Sequence, residues 1–227
     1  MACYANIPAR GGSKEVLKKN LRKINGKSLI SRCIQTAKKS KFINKIYVSS
    51  DDKKILKDSL KLNVKIIDRP KKLSNSKIMP EFAIIHFLNK IKLLEPLPNL
   101  ICFLHCTSPF TKTEDIDRAI IKLKKNKLDC ILSVSKSHAF LWKGKKNNIA
   151  KPINHNIKKI RLARQSINDQ FLETGNFYIF KTEKFLKFKN RFFGKIGFYE
   201  LPQERSLNID SEFDINLGNF IAKKFKF

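Results

Sequence analysis

Glycine and proline are scarce, eight of each in 227 residues, beside five cysteines, two methionines and one tryptophan. Such a composition excludes a collagen-like repeat, a low-complexity chain and a disulfide scaffold. Acidic residues are few as well: 19 Asp and Glu against 48 Lys and Arg leave a net charge of +29. The excess invites a polyanionic partner. Yet 42% of the residues are hydrophobic and 10% aromatic, enough for a core, whereas disorder needs high charge with little apolar material. No apolar run approaches the roughly 18 residues that span a bilayer. In the start, MACYANIPARGGSK, Pro8 and Arg10 interrupt the apolar part before a signal-peptide core could form. A cytoplasmic protein without a membrane segment is expected, with residues 1–227 as a single domain, since single cores commonly run to about 200–250 residues. Five is an odd number of cysteines and several lie in apolar runs, which suits buried reduced thiols. Cys102, His105 and Cys106 invite a zinc reading, but no second Cys or His pair completes four ligands, and ICFLHC reads as a strand.

Short apolar runs alternate with helical periods. Residues 2–7, 45–50, 64–68, 99–106 and 128–134 read as strands, rich in β-branched and aromatic residues and short enough for a buried parallel sheet. Between them, Leu29, Ile30, Cys33, Ile34 and Ala37 share one helical face, as do Ile84, Leu88 and Ile91, and Ile116, Ile120 and Leu123. The alternation predicts an α/β fold with a mostly parallel sheet. Ligands in such sheets bind beyond the carboxyl ends of the strands, here the loops after residues 7, 49, 68 and 106. From about 135 to 170 the pattern is basic and broken by Gly144 and Pro152, which suggests an excursion from the sheet. Regular structure resumes with strands over 171–180 and 195–201 and a final helix over 211–225, started by Ser211 and Asp214.

The first loop, Pro8-Ala9-Arg10-Gly11-Gly12-Ser13-Lys14, leaves a strand with two glycines, a hydroxyl and two cations. Glycines let backbone N–H groups approach an anion, and Arg and Lys neutralise it, so this is phosphate-binding material. It matches neither the Walker nor the dinucleotide glycine pattern. The segments 184–193 and 221–227 interleave Lys with Phe; lysine stems over an apolar face with Phe packed inward is the preferred reading over a nucleic-acid patch.

A longer pattern runs in order along the chain. Ala9 to Lys14, Lys19-Asn20-Leu21 and Asn25 to Ile30 come first, then Val48-Ser49-Ser50-Asp51-Asp52 and Arg69-Pro70 with Leu73. Thr107-Ser108-Pro109, Asp115-Ile116 with Ala119, Arg164-Gln165, Gly175 with Tyr178, and Ser206 to Asp210 with Asp214 complete it. Together these resemble the CMP-N-acylneuraminate synthetase family, the cytidylyltransferases that activate sialic acids. The resemblance implies a three-layer, Rossmann-like nucleotidyltransferase fold. It also implies a small dimerisation excursion over approximately 135–170 and 181–198, with Trp142, Phe192 and Phe193 as interface aromatics. The implied reaction transfers CMP from CTP to the anomeric hydroxyl of a nonulosonic acid, releasing pyrophosphate, with Mg²⁺ as cofactor and Mn²⁺ as a substitute. Transfer of this kind needs alignment and charge neutralisation more than covalent catalysis.

Carried over, the family's roles make Arg10, Lys14 and Asp210 catalytic. Ala9, Arg10, Gly11, Gly12, Ser13, Lys14, Lys19, Asn20 and Arg69 would bind the nucleotide. His105, Lys143, Arg164, Gln165 and Tyr178 would meet the sugar acid, and Asp210 with Asn208 the metal. Departures stand beside these matches: Asn208 replaces a carboxylate of the family's metal pair, and His105-Cys106 replaces Gln-Pro. A homodimer is implied, with no membrane partner, and no recognised motif supports a nucleic-acid partner. The alternatives are a catalytically weak relative and a basic nucleic-acid-binding protein on the same fold.

Overall fold

The apolar runs do become strands, and the helical faces cover them on two sides. The computed structural model describes residues 1–144, 147, 149–160, 163, 167 and 170–227. In chain order these form β1 (Cys3–Pro8), β2 (Lys23–Ile24), β3 (Lys27–Ser28), α1 (Leu29–Lys38), β4 (Ile43–Ser50), α2 (Lys53–Leu60), β5 (Lys65–Asp68) and α3 (Pro80–Lys92). Then follow β6 (Leu100–Leu104), α4 (Thr113–Lys125), β7 (Cys130–Lys136), β8 (Trp142–Gly144), β9 (Ala150–Pro152), β10 (Phe171–Lys181), α5 (Thr182–Phe188), β11 (Ile196–Glu200) and α6 (Glu212–Lys224).

The main sheet has the order β11-β7-β10-β6-β1-β4-β5. β1 pairs in parallel with β4 and β6, β4 with β5, and β11 with β7. Only β10 runs against its neighbours β6 and β7. Alternation along β1 sends Cys3, Ala5 and Ile7 to one face and Tyr4 to the other. On the first face lie α1, α2, α4 and α6, through Ile34, Ile55, Ile116 and Ile215. On the second lie α3 and α5, through Phe87 and Phe185. This is the expected three-layer α/β fold with a mostly parallel sheet. Ser211 and Asp214 form a reciprocal capping box at the start of α6. All five cysteines are free thiols, four buried and Cys33 half-buried, as the sequence suggested.

Two elements differ from the periodicity. α2, with the sequence KKILKDSL, offers too few apolar positions to announce itself; Asp52 starts it by accepting from Lys54 N at 2.7 Å and Ile55 N at 3.1 Å. Within the excursion, β8 and β9 form a separate two-stranded sheet, whereas residues 181–198 supply α5, a connecting loop and the start of β11, which joins the main sheet. Phe193 is accordingly buried in its own chain's core, with Phe192 packed against Tyr178 at 5.9 Å. Among the described residues, no helix is long and apolar enough to cross a membrane.

Candidate active site

The loops leaving β1, β4, β5 and β6 meet at one edge of the sheet, where a cleft of about 400 Å³ opens. Arg10, Ser13, Lys19, Asn20 and Arg69 line it, together with His105, Asn208 and Asp210. The first loop is fixed by backbone bonds: Ala9 N donates to Ser49 O at 2.9 Å, Gly11 N to Asp51 Oδ1 at 3.0 Å and Ser13 N to Gly11 O at 3.1 Å. A β-carbon on Gly11 would lie 2.8 Å from Asp52 Cβ, so the close approach of the loop to the start of α2 requires glycine. Asn20, buried, donates to Arg10 O at 2.9 Å. Gly12 and Lys14 are exposed, and Lys14 does not line the cleft.

Arg69 is almost wholly buried, its Nε donating to Ser74 Oγ at 2.9 Å. Burial lowers its pKa, which the nearby Asp51 opposes. On the far side, Lys19 Nζ donates to Asp210 Oδ1 and to Ile209 O, both at 2.9 Å. Asn208 Nδ2 donates to Asp210 Oδ2 at 2.7 Å. The other amide atom, Asn208 Oδ1, is buried and accepts from no protein donor. Among the described residues, no three His, Cys, Asp or Glu side chains gather as a metal group. The Asp210 carboxylate is nonetheless a hard oxygen donor, and turning the Asn208 amide would set a second oxygen beside it, a set that suits Mg²⁺, which takes one or two protein ligands and completes its shell with phosphates and water.

A second cleft, of about 360 Å³, adjoins the first. Leu172, Glu173, Thr174, Gly175, Tyr178 and Ser206 line it, and it shares two residues with the first cleft, His105 and Asn208. β10 makes this possible: inserted between β6 and β7, it sets Tyr178 opposite Phe103 and brings Gly175, with φ of +72°, beneath the His105 ring. His105 stacks edge-on to Phe103 at 5.1 Å and lies 5.6 Å from Tyr178. Burial, helped by the Arg191 charge and opposed by Asp210, pushes its imidazole down to about 4, so the ring is neutral at pH 7. The Tyr178 hydroxyl donates to Glu173, and burial followed by that bond raises its pKa.

The structure thus gathers Arg10, Ser13, Lys19, Asn20, Arg69, His105, Tyr178, Asn208 and Asp210 around two touching clefts. Lys143 sits exposed on the β8–β9 hairpin and lines neither. Arg164 and Gln165 lie outside the described residues. Glu173, Glu81 and Arg191 carried no local signal in the sequence: they acquire their places only through strand insertion and an ion pair across 110 positions.

A family profile described as Cytidylyltransferase matches residues 5–224. N-acylneuraminate cytidylyltransferase B of Danio rerio is 30% identical over 213 residues, 92% of this chain and 49% of the fish protein. Pseudaminic acid cytidylyltransferase of Campylobacter jejuni is 24% identical over 221 residues, 96% of this chain and 94% of that protein. The chain therefore spans about half the length of the fish relative and nearly all of the bacterial one. Among solved structures, CMP:2-keto-3-deoxy-manno-octonic acid synthetase complexed with CTP is similar with a TM-score of 0.71 at 14% identity, over 99% of this chain and 100% of that one. 4-Diphosphocytidyl-2C-methyl-D-erythritol synthase from Anaerococcus prevotii follows at 0.68 and 16%, over 98% and 96%. At those identities the structural likeness speaks for the fold, which is the Rossmann-like nucleotidyltransferase fold. With the profile spanning residues 5–224, which carry both clefts, the chain belongs to the cytidylyltransferase family.

Proposed function

We propose that the protein transfers CMP from CTP to the anomeric hydroxyl of a nonulosonic, sialic-type acid, releasing pyrophosphate and supplying an activated sugar for surface glycans. The observation that carries this is the pair of clefts meeting at His105 and Asn208, one walled by the cationic glycine loop and the other by Tyr178 and Glu173. A group handed from one ligand to another must cross that shared wall. The names of the fish and Campylobacter relatives, which act on sialic and pseudaminic acids, support the substrate class.

In this reading the sugar hydroxyl attacks the α-phosphorus and gives up its proton to solvent, the bond from that phosphorus to the bridging oxygen breaks, and pyrophosphate leaves with the bonding electrons. Arg10, Ser13 and Lys19 hold and neutralise the triphosphate, with the backbone N–H of Gly12 beside them, and Lys14, on the outer side of the same loop, would have to turn inward to join them. Arg69 lies towards the cytosine, and Asn20 braces the loop through Arg10 O. Asn208 and Asp210 would hold Mg²⁺, which supplies further charge neutralisation on the phosphates when bound. Arg164, Gln165 and Tyr178 would meet the sugar acid, the cation because its carboxylate needs a partner. Incubating the protein with CTP, Mg²⁺ and a panel of N-acetylneuraminic, legionaminic, pseudaminic and ketodeoxyoctonic acids should give pyrophosphate with at least one. Absence of release with every sugar overturns the reading.

The working unit in this proposal is a homodimer. Leu141, Trp142, Ile149, Ile153 and Ile157 are each about half exposed on and after the β8–β9 hairpin, apolar side chains of the kind that a partner surface covers. A second copy covering it would bring Lys143, which lines neither cleft of its own chain, to its partner's sugar-acid cleft. Sedimentation velocity is expected to give a dimer mass, and Trp142→Lys to shift it to monomer; a monomeric wild type at micromolar concentration rejects the arrangement.

A further inference from the structure

Behind the wall of the second cleft lies an ion pair that neither cleft exposes. Arg191, in the loop between α5 and β11, donates from Nε to Glu81 Oε1 at 2.8 Å. The two side chains keep only 13% and 16% of their exposure. The guanidinium lies 4.4 Å from the Tyr178 ring centroid, 5.6 Å from that of Phe103 and 5.9 Å from that of Phe192. A desolvated pair of this kind is a poor source of stability compared with apolar residues of similar volume, and its best-attested use is to fix one arrangement among several. The two ends of this pair reach different clefts. Glu81 is the second residue of α3, whose first turn walls the nucleotide-side cleft through Pro80 and Ala83, and Tyr178 walls the other. The far edge of the Tyr178 ring is held by Glu173, so the ring is gripped from both sides.

We propose that Arg191 is a positioning residue: clamped by Glu81, it fixes the Tyr178 ring as a wall of the second cleft and ties that wall to the start of α3. The two clefts then keep one relative geometry for transfer. This rests on the reading of the second cleft as the sugar-acid subsite.

The test compares Arg191→Met, Arg191→Lys and Glu81→Gln with the wild type by thermal melts, by the ring resonances of ¹³C-tyrosine-labelled protein, by CTP titration with Mg²⁺ and by steady-state kinetics. Tyr178→Phe assigns the Tyr178 signals. R191M is expected to move those signals and to raise the sugar-acid KM about tenfold, the scale of a lost cation–π contact in a desolvated site, with CTP affinity within about twofold. R191K should recover part of the KM, because an ammonium can still lie on the ring and pair with Glu81. Unmoved Tyr178 resonances in a folded R191M, an unchanged KM, or CTP affinity falling in step with KM would each overturn the proposal. If R191M does not fold, E81Q, which removes the charge that clamps Arg191, carries the same readouts with the same criteria. Should the wild type release no pyrophosphate with any sugar acid, the functional reading fails separately, and the Tyr178 resonances alone decide whether Arg191 sets the wall.

Discussion

Asp210→Ala is expected to lower pyrophosphate release by about a thousandfold, with whichever sugar acid the wild type accepts, while leaving the fold intact. Among the described residues, Asp210 supplies the one carboxylate that lines the first cleft, and the neighbouring amide of Asn208 already spends its N–H₂ on Asp210 Oδ2. Removing the carboxylate therefore takes away the anionic donor that the described residues offer a divalent cation there and also frees Asn208 to reorient. Stability should scarcely change. The Asp210 side chain is 60% exposed, its ion pair with Lys19 is worth at most about 1 kcal/mol, and Lys19 retains its bond to Ile209 O. Single-turnover pyrophosphate release and a urea melt on the same preparation separate the two effects. A variant that folds and turns over at the wild-type rate removes Asp210 from the chemistry.

Gly194→Ala is expected to cost about 3 kcal/mol of stability, a large share of the 5–15 kcal/mol typical of a whole domain. Gly194 adopts φ of +58°, where an L side chain is strained by about 1 kcal/mol. Its added β-carbon would also fall inside the Asp129 carboxylate, with Asp129 Cγ only 2.9 Å away. Asp129 cannot yield cheaply. It accepts from Lys195 N at 3.0 Å and pairs with Lys181 at 2.8 Å and Lys184 at 2.7 Å, bonds to charged groups that are worth about 1.5–3 kcal/mol when lost. These partners hold its carboxyl well below the usual range. Urea denaturation of G194A, Asp129→Ala and the double variant provides the check: once Asp129 is gone the clash is gone, so the two changes should be markedly non-additive. A G194A stability within about 0.5 kcal/mol of wild type would mean that the loop relaxes freely. Because this loop carries Arg191, its rigidity also bears on the wall of the second cleft.

Much of this arrangement was legible along the chain. Buried parallel strands leave unbroken apolar runs, and β1, β4, β5, β6 and β7 stand where those runs are. The glycine loop after β1 and the arginine after β5 fall at strand ends, where an α/β sheet presents ligands, and both reach the cleft. Ser211 and Asp214 announce α6 because a helix cap needs acceptors at that spacing. By contrast, KKILKDSL is a helix because Asp52 caps it and the sheet covers Ile55 and Leu56, neither of which its short pattern could tell. Lys14, next to Ser13 in the loop, stays exposed outside the cleft, since adjacent residues on a loop need not face the same way.

Periodicity and glycine placement report on contacts within a few residues, so the parallel frame and the glycine loop that lines the first cleft could be read along the chain. The antiparallel entry of β10 between β6 and β7, the wall of His105 and Asn208 common to both clefts, and the reach of Arg191 to Glu81 beneath Tyr178 emerge from the folded chain alone. Strand order and desolvated ion pairs are settled by chain closure over a hundred residues, where local pattern carries no energy and the competing pairings differ only in the packing they complete.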